Sequence, residues 1–286
     1  MSKILTLLIP TMKIHSSLAL IFPKLKTQKK EFVVGTKEQQ VLPHIDMRNR
    51  IIIRWGSPFD TEKIPDSITF NSRNSVRIAT DKPRARKVLF DAGINVPKMV
   101  TPDFAKINYP LIARERLHTL GKNFIVIQDY NTFGSHYNKY APQGWYYSEY
   151  IHKVQEFRVH IGHGKVLSVL YKPKGSDPYN WNRTQTDIPP TPIEPQQWNL
   201  TVIKESIKAI NALRLDFAGI DVIVDEHGIP YVLELNIKPG MSATFSTQKQ
   251  YALYFDWLAV SNTRRNHFKI QSNNPEDYAW KESDWI

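Results

Sequence analysis

Two carboxylates and one amide, Asp221, Glu234 and Asn236, are spaced so that they suit a hard divalent cation. The run from Ala218 to Asp225 alternates β-branched with other residues, Ile229 to Asn236 does the same, and His227-Gly228 between them reads as a two-residue turn. Such a turn places Asp221 directly opposite Glu234, with Cβ atoms roughly 4.5–5.5 Å apart, and puts Asn236 two residues further along the same face. Like charges directly opposite destabilise a sheet, so the pattern makes sense with a cation between them, and carboxylate and amide oxygens suit Mg2+. The spacing alone equally admits a solvated edge hairpin with its acids in water, and a three-residue turn would shift the pairing by one.

The elements that must position these residues are bounded by composition. The 286 residues can bury a large core, and the length suggests two domains, or one α/β unit with a lid. Hydrophobic residues make up 41% and charged residues 23%, which argues for a globular rather than a disordered chain. There is no cysteine, which excludes disulfides, thiolate metal sites and cysteine nucleophiles and leaves oxygen and nitrogen ligands. The run Ile4 to Ile9 is too short for a signal peptide core and reads as a buried strand ended by Pro10. No apolar stretch approaches the ~20 residues that cross a bilayer, so a cytoplasmic protein is expected. The net charge is +11, and residues 1–100 carry 18 Lys/Arg against 8 Asp/Glu. The densest basic part, Lys24 to Lys30, is open to two readings, a site for a polyanion or a solvated surface segment.

Ile51 to Gly56 reads as a buried strand entering a Gly turn, and Ile68 to Asn71 as a shorter strand of the same open parallel sheet. Thr80-Asp81 caps a helix with Pro83 in its first turn, and Gly93 stops that helix. Strands follow at Leu111–Arg114, Phe124–Gln128 and Trp145–Ile151, and then a hairpin of Glu156–Ile161 with Val166–Lys172. The stretch Gly175 to Gln197, rich in Pro, Asn, Asp and Trp, is expected to be a long loop without regular elements, and Gln196 to Leu213 a helix. No assignment is made for the tail beyond Val260.

With Asp221, Glu234, Asn236 and Pro239-Gly240 in this order, the chain resembles the ATP-grasp superfamily of carboxylate–amine ligases over roughly residues 80–260, with RimK-like and D-alanine–D-alanine ligases as the nearest comparisons. The resemblance implies an α/β (α+β ATP-grasp) fold. Its expected parts are a basic Rossmann-like pre-grasp domain over residues 1–97, a lid subdomain over 98–152, a large subdomain with the metal site over 153–262, and a tail over 263–286. It implies ATP and two Mg2+ ions, with Mn2+ as a substitute, held by Asp221, Glu234 and Asn236. Glu149, Tyr150 and Ile151 match the adenine hinge and Glu156 the ribose contact, with a surface charge as its alternative. Arg158, Lys172 and Arg183 match the residues that meet the phosphoryl group or acyl intermediate, and a structural ion pair is the rival account of Arg158. His118, Gly121 and Lys122 fall in a phosphate-covering loop, which a surface turn would explain as well, and Arg114 stands where the family usually has lysine. Lys82 occupies a nucleotide-contacting position but reads more simply as a helix-start charge, whereas Arg54, Trp55, Gly56 and Asn71 are candidates for the substrate side of the cleft, although a tryptophan is more often core.

The implied reaction is attack of a substrate carboxylate on the γ-phosphate, giving ADP and an acylphosphate, followed by displacement of phosphate by an amine from an amino acid or peptide. No covalent enzyme intermediate is needed, in keeping with the lack of a Ser-His-Asp signature. Two rivals remain: a catalytically silent nucleotide-binding regulator, motivated by Arg114 and the glycine-poor loop, and a nucleic-acid-binding protein, for which RRM, KH, zinc and helix-turn-helix signals are missing.

Overall fold

In the computed structural model the described residues are 4–9, 16–27, 30–34, 49–56, 68–103, 109–116, 124–175, 179, 189–241, 244–261 and 268–285. The apolar runs near the N-terminus form a sheet of β1 (Ile4–Ile9), β2 (Lys30–Val34), β3 (Arg50–Arg54) and β4 (Thr69–Phe70). Their order is β2-β1-β3-β4 and every pairing is parallel, as expected for strands that read as continuous hydrophobic runs. A short helix, α1 (Ser16–Ile21), lies between β1 and β2. The described part of the basic segment that follows is tied down through its backbone and through Lys30: the Lys26 and Thr27 amides donate to Asp256, and Lys30 donates to the carbonyls of Phe22 and Leu25, while Lys26 itself is exposed.

Two helices come next. α2 (Arg73–Thr80) is capped by Ser72 and was not legible in the sequence, whereas α3 (Lys82–Asp91) has the expected Asp81 cap and Pro83 in its first turn. A second, antiparallel sheet of order β6-β5-β7 contains β5 (Leu111–Glu115), β6 (Phe124–Ile127) and β7 (Trp145–Glu149). Helix α4 (Tyr130–Tyr140), also unforeseen, packs Phe133 and Tyr137 onto Tyr147 of β7. Tyr130, Phe133, Tyr137 and Tyr140 recur at i, i+3, i+7 and i+10, an aromatic stripe at helical spacing of which only Phe133 is fully buried.

The third sheet carries the hairpins. Its antiparallel strands β8 (Lys153–Gly162), β9 (Lys165–Lys172), β10 (Thr191–Ile193), β11 (Phe217–Asp225) and β12 (Pro230–Asn236) lie in the order β10-β9-β8-β11-β12. Strand β10 and a 3-10 turn at Pro195–Gln197 correct the expectation that Gly175 to Gln197 holds no regular element; Trp198 anchors them by donating from Nε1 to the Ile193 carbonyl. On one face Val159, Ile161, Ile220 and Val222 pack under α5 (Leu200–Ala212) through Val202, Ile203, Ala209 and Ile210.

Helix α6 (Phe245–Val260), not anticipated, shows no single apolar stripe because it is covered from several sides, burying Thr247, Gln248, Tyr251, Tyr254, Phe255, Trp257 and Leu258. Its Tyr251, Phe255 and Leu258 share a cluster with Leu5, Ile53, Trp55 and Phe217, which joins the first sheet to the third. Trp55 is fully buried and stacks on Phe217 at 5.7 Å, so it is core and not a cleft residue. Asn71 is likewise a buried fastener: its Oδ1 accepts the Asp216 and Phe217 amides, and its Nδ2 donates to the Phe217 carbonyl. Arg54, also buried, donates from Nε to the Asn71 carbonyl. The tail is core as well: Trp280 donates its amide to Val166 and its Nε1 to Gly162, among the rings of Tyr254, Trp257 and Phe268. Among the described residues no helix is long and apolar enough to cross a membrane.

Candidate functional site

The β11–β12 hairpin reaches the expected pairing by an unexpected route. Asp225 pairs with Ile229 around a three-residue turn, Glu226 to Gly228, with Gly228 at φ +77° and Asp225 Oδ1 accepting the amides of His227 and Ile229. That turn puts Val222 opposite Val232, a register in which Glu234 would fall on the core face. A bulge at Leu233 adds one residue to β12 and restores the pairing, so that Asp221 faces Glu234 and Gly219 faces Asn236.

The same face gathers charges from the neighbouring strands. Arg158 on β8 is paired with Asp221 and donates Nε and Nη2 to its two oxygens, both at 2.7 Å. Lys172 on β9 lies 3.1 Å from Asp221 and 2.8 Å from Glu156. Glu156 is buried with one oxygen on Lys172 and the other on Lys153, which excludes the surface-charge account. Asn236 Nδ2 donates to Asp221 Oδ2 at 3.2 Å, and Glu234 meets Lys82 of α3 at 3.1 Å. Lys82 is thus a member of the site rather than a loose helix-start charge. Its placement is reinforced by Arg116, which donates to the capping Asp81 next to it.

Burial opposes the charge on Asp221, yet Arg158 and Lys172 hold its carboxyl well below the ordinary carboxylate range. Glu234 is likewise disfavoured by burial and by Asp221, but Lys82 and Arg114 bring it down to about 2. Although burial works against them too, the Asp221 carboxylate raises both Arg158 and Lys172. His160 lies further along the same face, its Nδ1 3.2 Å from the Tyr251 hydroxyl, and burial with Arg158 nearby lowers it to about 3. At neutral pH the site therefore holds ionised oxygen donors among fixed cations, with a neutral imidazole beneath.

The second sheet supplies the facing wall. Arg114 lies over the Phe124 ring at 5.8 Å, and its Nε has no hydrogen-bond partner. Glu149 accepts the Lys98 amide on Oε1 and Tyr150 packs edge-on against Tyr179 at 5.2 Å, with Ile151 following in the link to β8. His118, Gly121, Lys122 and Arg183 lie outside the described residues. One residue missed from the sequence is Arg86 on α3, which is 4% exposed, stands 5.3 Å from the Tyr146 ring, and has Nε and Nη1 without hydrogen-bond partners. Its signal was the spacing: Lys82 and Arg86 are four apart and share a helix face.

Among the described residues no group of three or more His, Asp or Glu side chains is placed to hold a metal. The donor set is instead two ionised carboxylates and an amide on one sheet face, which fits a hard, oxygen-seeking divalent cation.

No family model matches the sequence. A D-alanine–D-alanine ligase of Methylacidiphilum infernorum is 28% identical over 212 residues, covering 68% of this chain and 64% of the relative. A 5-formaminoimidazole-4-carboxamide ribofuranosyl monophosphate synthetase of Methanococcoides burtonii is 27% identical over 164 residues, covering 55% and 42%. The chain spans about a third to two thirds of the length of the curated relatives it matches. Among solved structures, the D-alanine–D-alanine ligase of Bacillus anthracis complexed with ATP superposes with a TM-score of 0.63 at 18% identity, over 90% of this chain and 94% of that one. A RiPP-associated ATP-grasp ligase of Chryseobacterium gregarium, in complex with ADP and a leader and core peptide, gives 0.65 at 12% identity, over 94% and 100%.

Proposed function

We propose that this chain, an ATP-grasp protein by its fold, is an ADP-forming ligase that joins a carboxylate to an amine through an acylphosphate. The observation that supports this reading most is the register of β11 and β12, which sets Asp221, Glu234 and Asn236 beside Arg158 and Lys172. The division at residues 97, 152 and 262 into pre-grasp, lid and large subdomains belongs to the same proposal.

In this reading a substrate carboxylate oxygen attacks the γ-phosphorus of ATP and the bond to the β-bridging oxygen breaks, releasing ADP. An amine then adds to the carbonyl carbon of the acylphosphate, loses its proton, and phosphate leaves. Mg2+ held by Asp221, Glu234 and Asn236 would neutralise phosphate charge. Arg158 spends Nε and Nη2 on Asp221, while Nη1 lies 3.9 Å from the point where a side chain on Gly240 would begin and is free to meet a phosphoryl oxygen. Lys172 is held protonated and aimed by Glu156 and Asp221. Lys82, Arg86 and Arg114 offer further positive charge between α3, β5 and the hairpin, and the backbone at Glu149, Tyr150 and Ile151 is the edge against which adenine would lie. Catalysis then comes from positioning and charge neutralisation, with no protein nucleophile. Cytoplasmic location belongs to the same reading.

The test is ADP release from Mg-ATP with pooled amino acids and short peptides, run beside Glu234→Gln. Release that needs both the pool and Glu234 is expected. Pool-independent release, or full release by the variant, would remove the ligase reading.

A further inference from the structure

The first sheet has a switch point: β1 pairs with β2 on one side and β3 on the other, all parallel, and sheets of this kind bind ligands beyond the carboxyl ends of their strands at that point. Strand β3 runs out of the sheet through Gly56 at φ +67°. A Cβ at Gly56 would stand 2.7 Å from Lys238 Cβ and 2.9 Å from its Cδ, so the lysine stem lies directly on the glycine backbone. Lys238 follows Asn236 by two residues, at the end of β12. Its side chain therefore stands between the carboxyl end of β3 and the Asn236 end of the hairpin.

Nothing described balances this ammonium. Lys238 is half-buried, and no carboxylate among the described residues hydrogen-bonds or ion-pairs with it. Every other cation around the hairpin has an acid beside it or a place on the phosphate side: Arg158 and Lys172 on Asp221, Lys153 on Glu156, Lys82 on Glu234. A partly desolvated charge without a counter-charge is unfavourable in the empty protein and becomes favourable when an anion arrives.

We propose that Lys238 is a specificity-determining residue that binds an anionic group of the substrate other than the carboxylate being activated, so that the ligase acts on an acidic amino acid or on a peptide bearing an acidic or phosphorylated side chain. This rests on the ligase reading above. The activated carboxylate has to lie beside Arg158 and Lys172, and Lys238 addresses the far end of the same molecule. The excess of basic residues over residues 1–100 favours approach of such a substrate.

The test is calorimetric binding to protein loaded with Mg2+ and a non-hydrolysable ATP analogue, using L-glutamate against L-glutamine, O-phospho-L-serine against L-serine, and the dipeptides Ala-Glu against Ala-Gln. At least one acidic member is expected to bind about tenfold more tightly than its neutral partner, the scale of one charge-assisted contact. The pair that discriminates tells a carboxylate from a phosphate. Lys238→Gln should erase the preference without changing affinity for the ATP analogue, and Lys238→Arg should keep most of it. A wild type that binds none of the six, or discriminates in no pair, or a Lys238→Gln that still discriminates, overturns the inference. ADP release with neutral substrates, equal in wild type and Lys238→Gln, would sink this inference and leave the ligase standing. Acid-selective binding that is lost in Lys238→Gln, without ADP release, would remove the ligase reading and leave Lys238 only an anion-binding residue.

Discussion

At the scale of single residues, the site is a balance in which each anion has a cation and each cation but a few has an anion. Asp221 sits between Arg158, Lys172 and Asn236, so Asp221→Asn leaves two cations facing a neutral amide. Breaking such a pair should cost about 3 kcal/mol of stability, read as a lower urea midpoint, and should abolish Mg-dependent ATP turnover while the circular dichroism spectrum keeps its shape. Glu234→Gln should lose turnover as completely, and a variant with full turnover would remove Glu234 from the metal site. The pH dependence follows from the direction of the shift. Glu234 is lowered from 4.5 to about 2 in the folded protein, so its stabilising contribution is full above about pH 4.5 and is lost as pH falls towards 2. Urea midpoints measured from pH 6 to pH 2 should therefore fall in that window, and Glu234→Gln should fall less steeply.

At the scale of elements, the instructive case is β12. The turn holds one residue more than the alternation suggests, and the Leu233 bulge holds one more again, so the two irregularities cancel at Asp221 and Glu234. Deleting Leu233 should straighten β12 and keep Glu234 opposite Asp221, so the variant should retain Mg-ATP-dependent thermal stabilisation. Loss of that stabilisation would show that the bulge aims Glu234 rather than only restoring its register. Gly228→Ala should cost about 1 kcal/mol, because a side chain is strained at φ +77°, with ADP release unchanged since the turn is remote from the acids.

At the scale of the molecule, α6 and the tail hold the parallel sheet against the hairpin sheet through one aromatic cluster. Trp280 fills that cluster and donates to Gly162, the last residue of β8 before the turn into β9. Trp280→Ala should cost about 3–5 kcal/mol, measured by urea unfolding, although Trp280 packs on the aromatic cluster and not on the proposed site residues. A loss below about 1 kcal/mol would mean that the tail is an ornament on an already complete core.

The amino-acid sequence by itself determined what is local or periodic. Strand β1, the capped helix α3 and the two hairpins follow from alternation, Pro and Gly punctuation and capping residues, each acting over a few neighbours, whereas the pairing of Asp221 with Glu234, expected from a two-residue turn, is reached only because a three-residue turn and the Leu233 bulge cancel. The ATP-grasp resemblance, and the residues proposed as metal ligands, were legible for the same reason, because they lie on one hairpin and one short motif. Only tertiary structure decided the rest. Helix α6 lacks a readable stripe, since burial on several sides removes the contrast on which periodicity depends, whereas the eight residues of α2 are too few for a period to stand out and α4 buries only Phe133 of its aromatic stripe. Trp55 and Asn71 changed from cleft candidates to core, and Lys82 changed from a helix-start charge to the partner of Glu234, because distances between residues far apart in the chain set those roles. The place of Lys238 on Gly56 is of the same kind: two ordinary residues, 182 positions apart, become one feature only when two sheets meet.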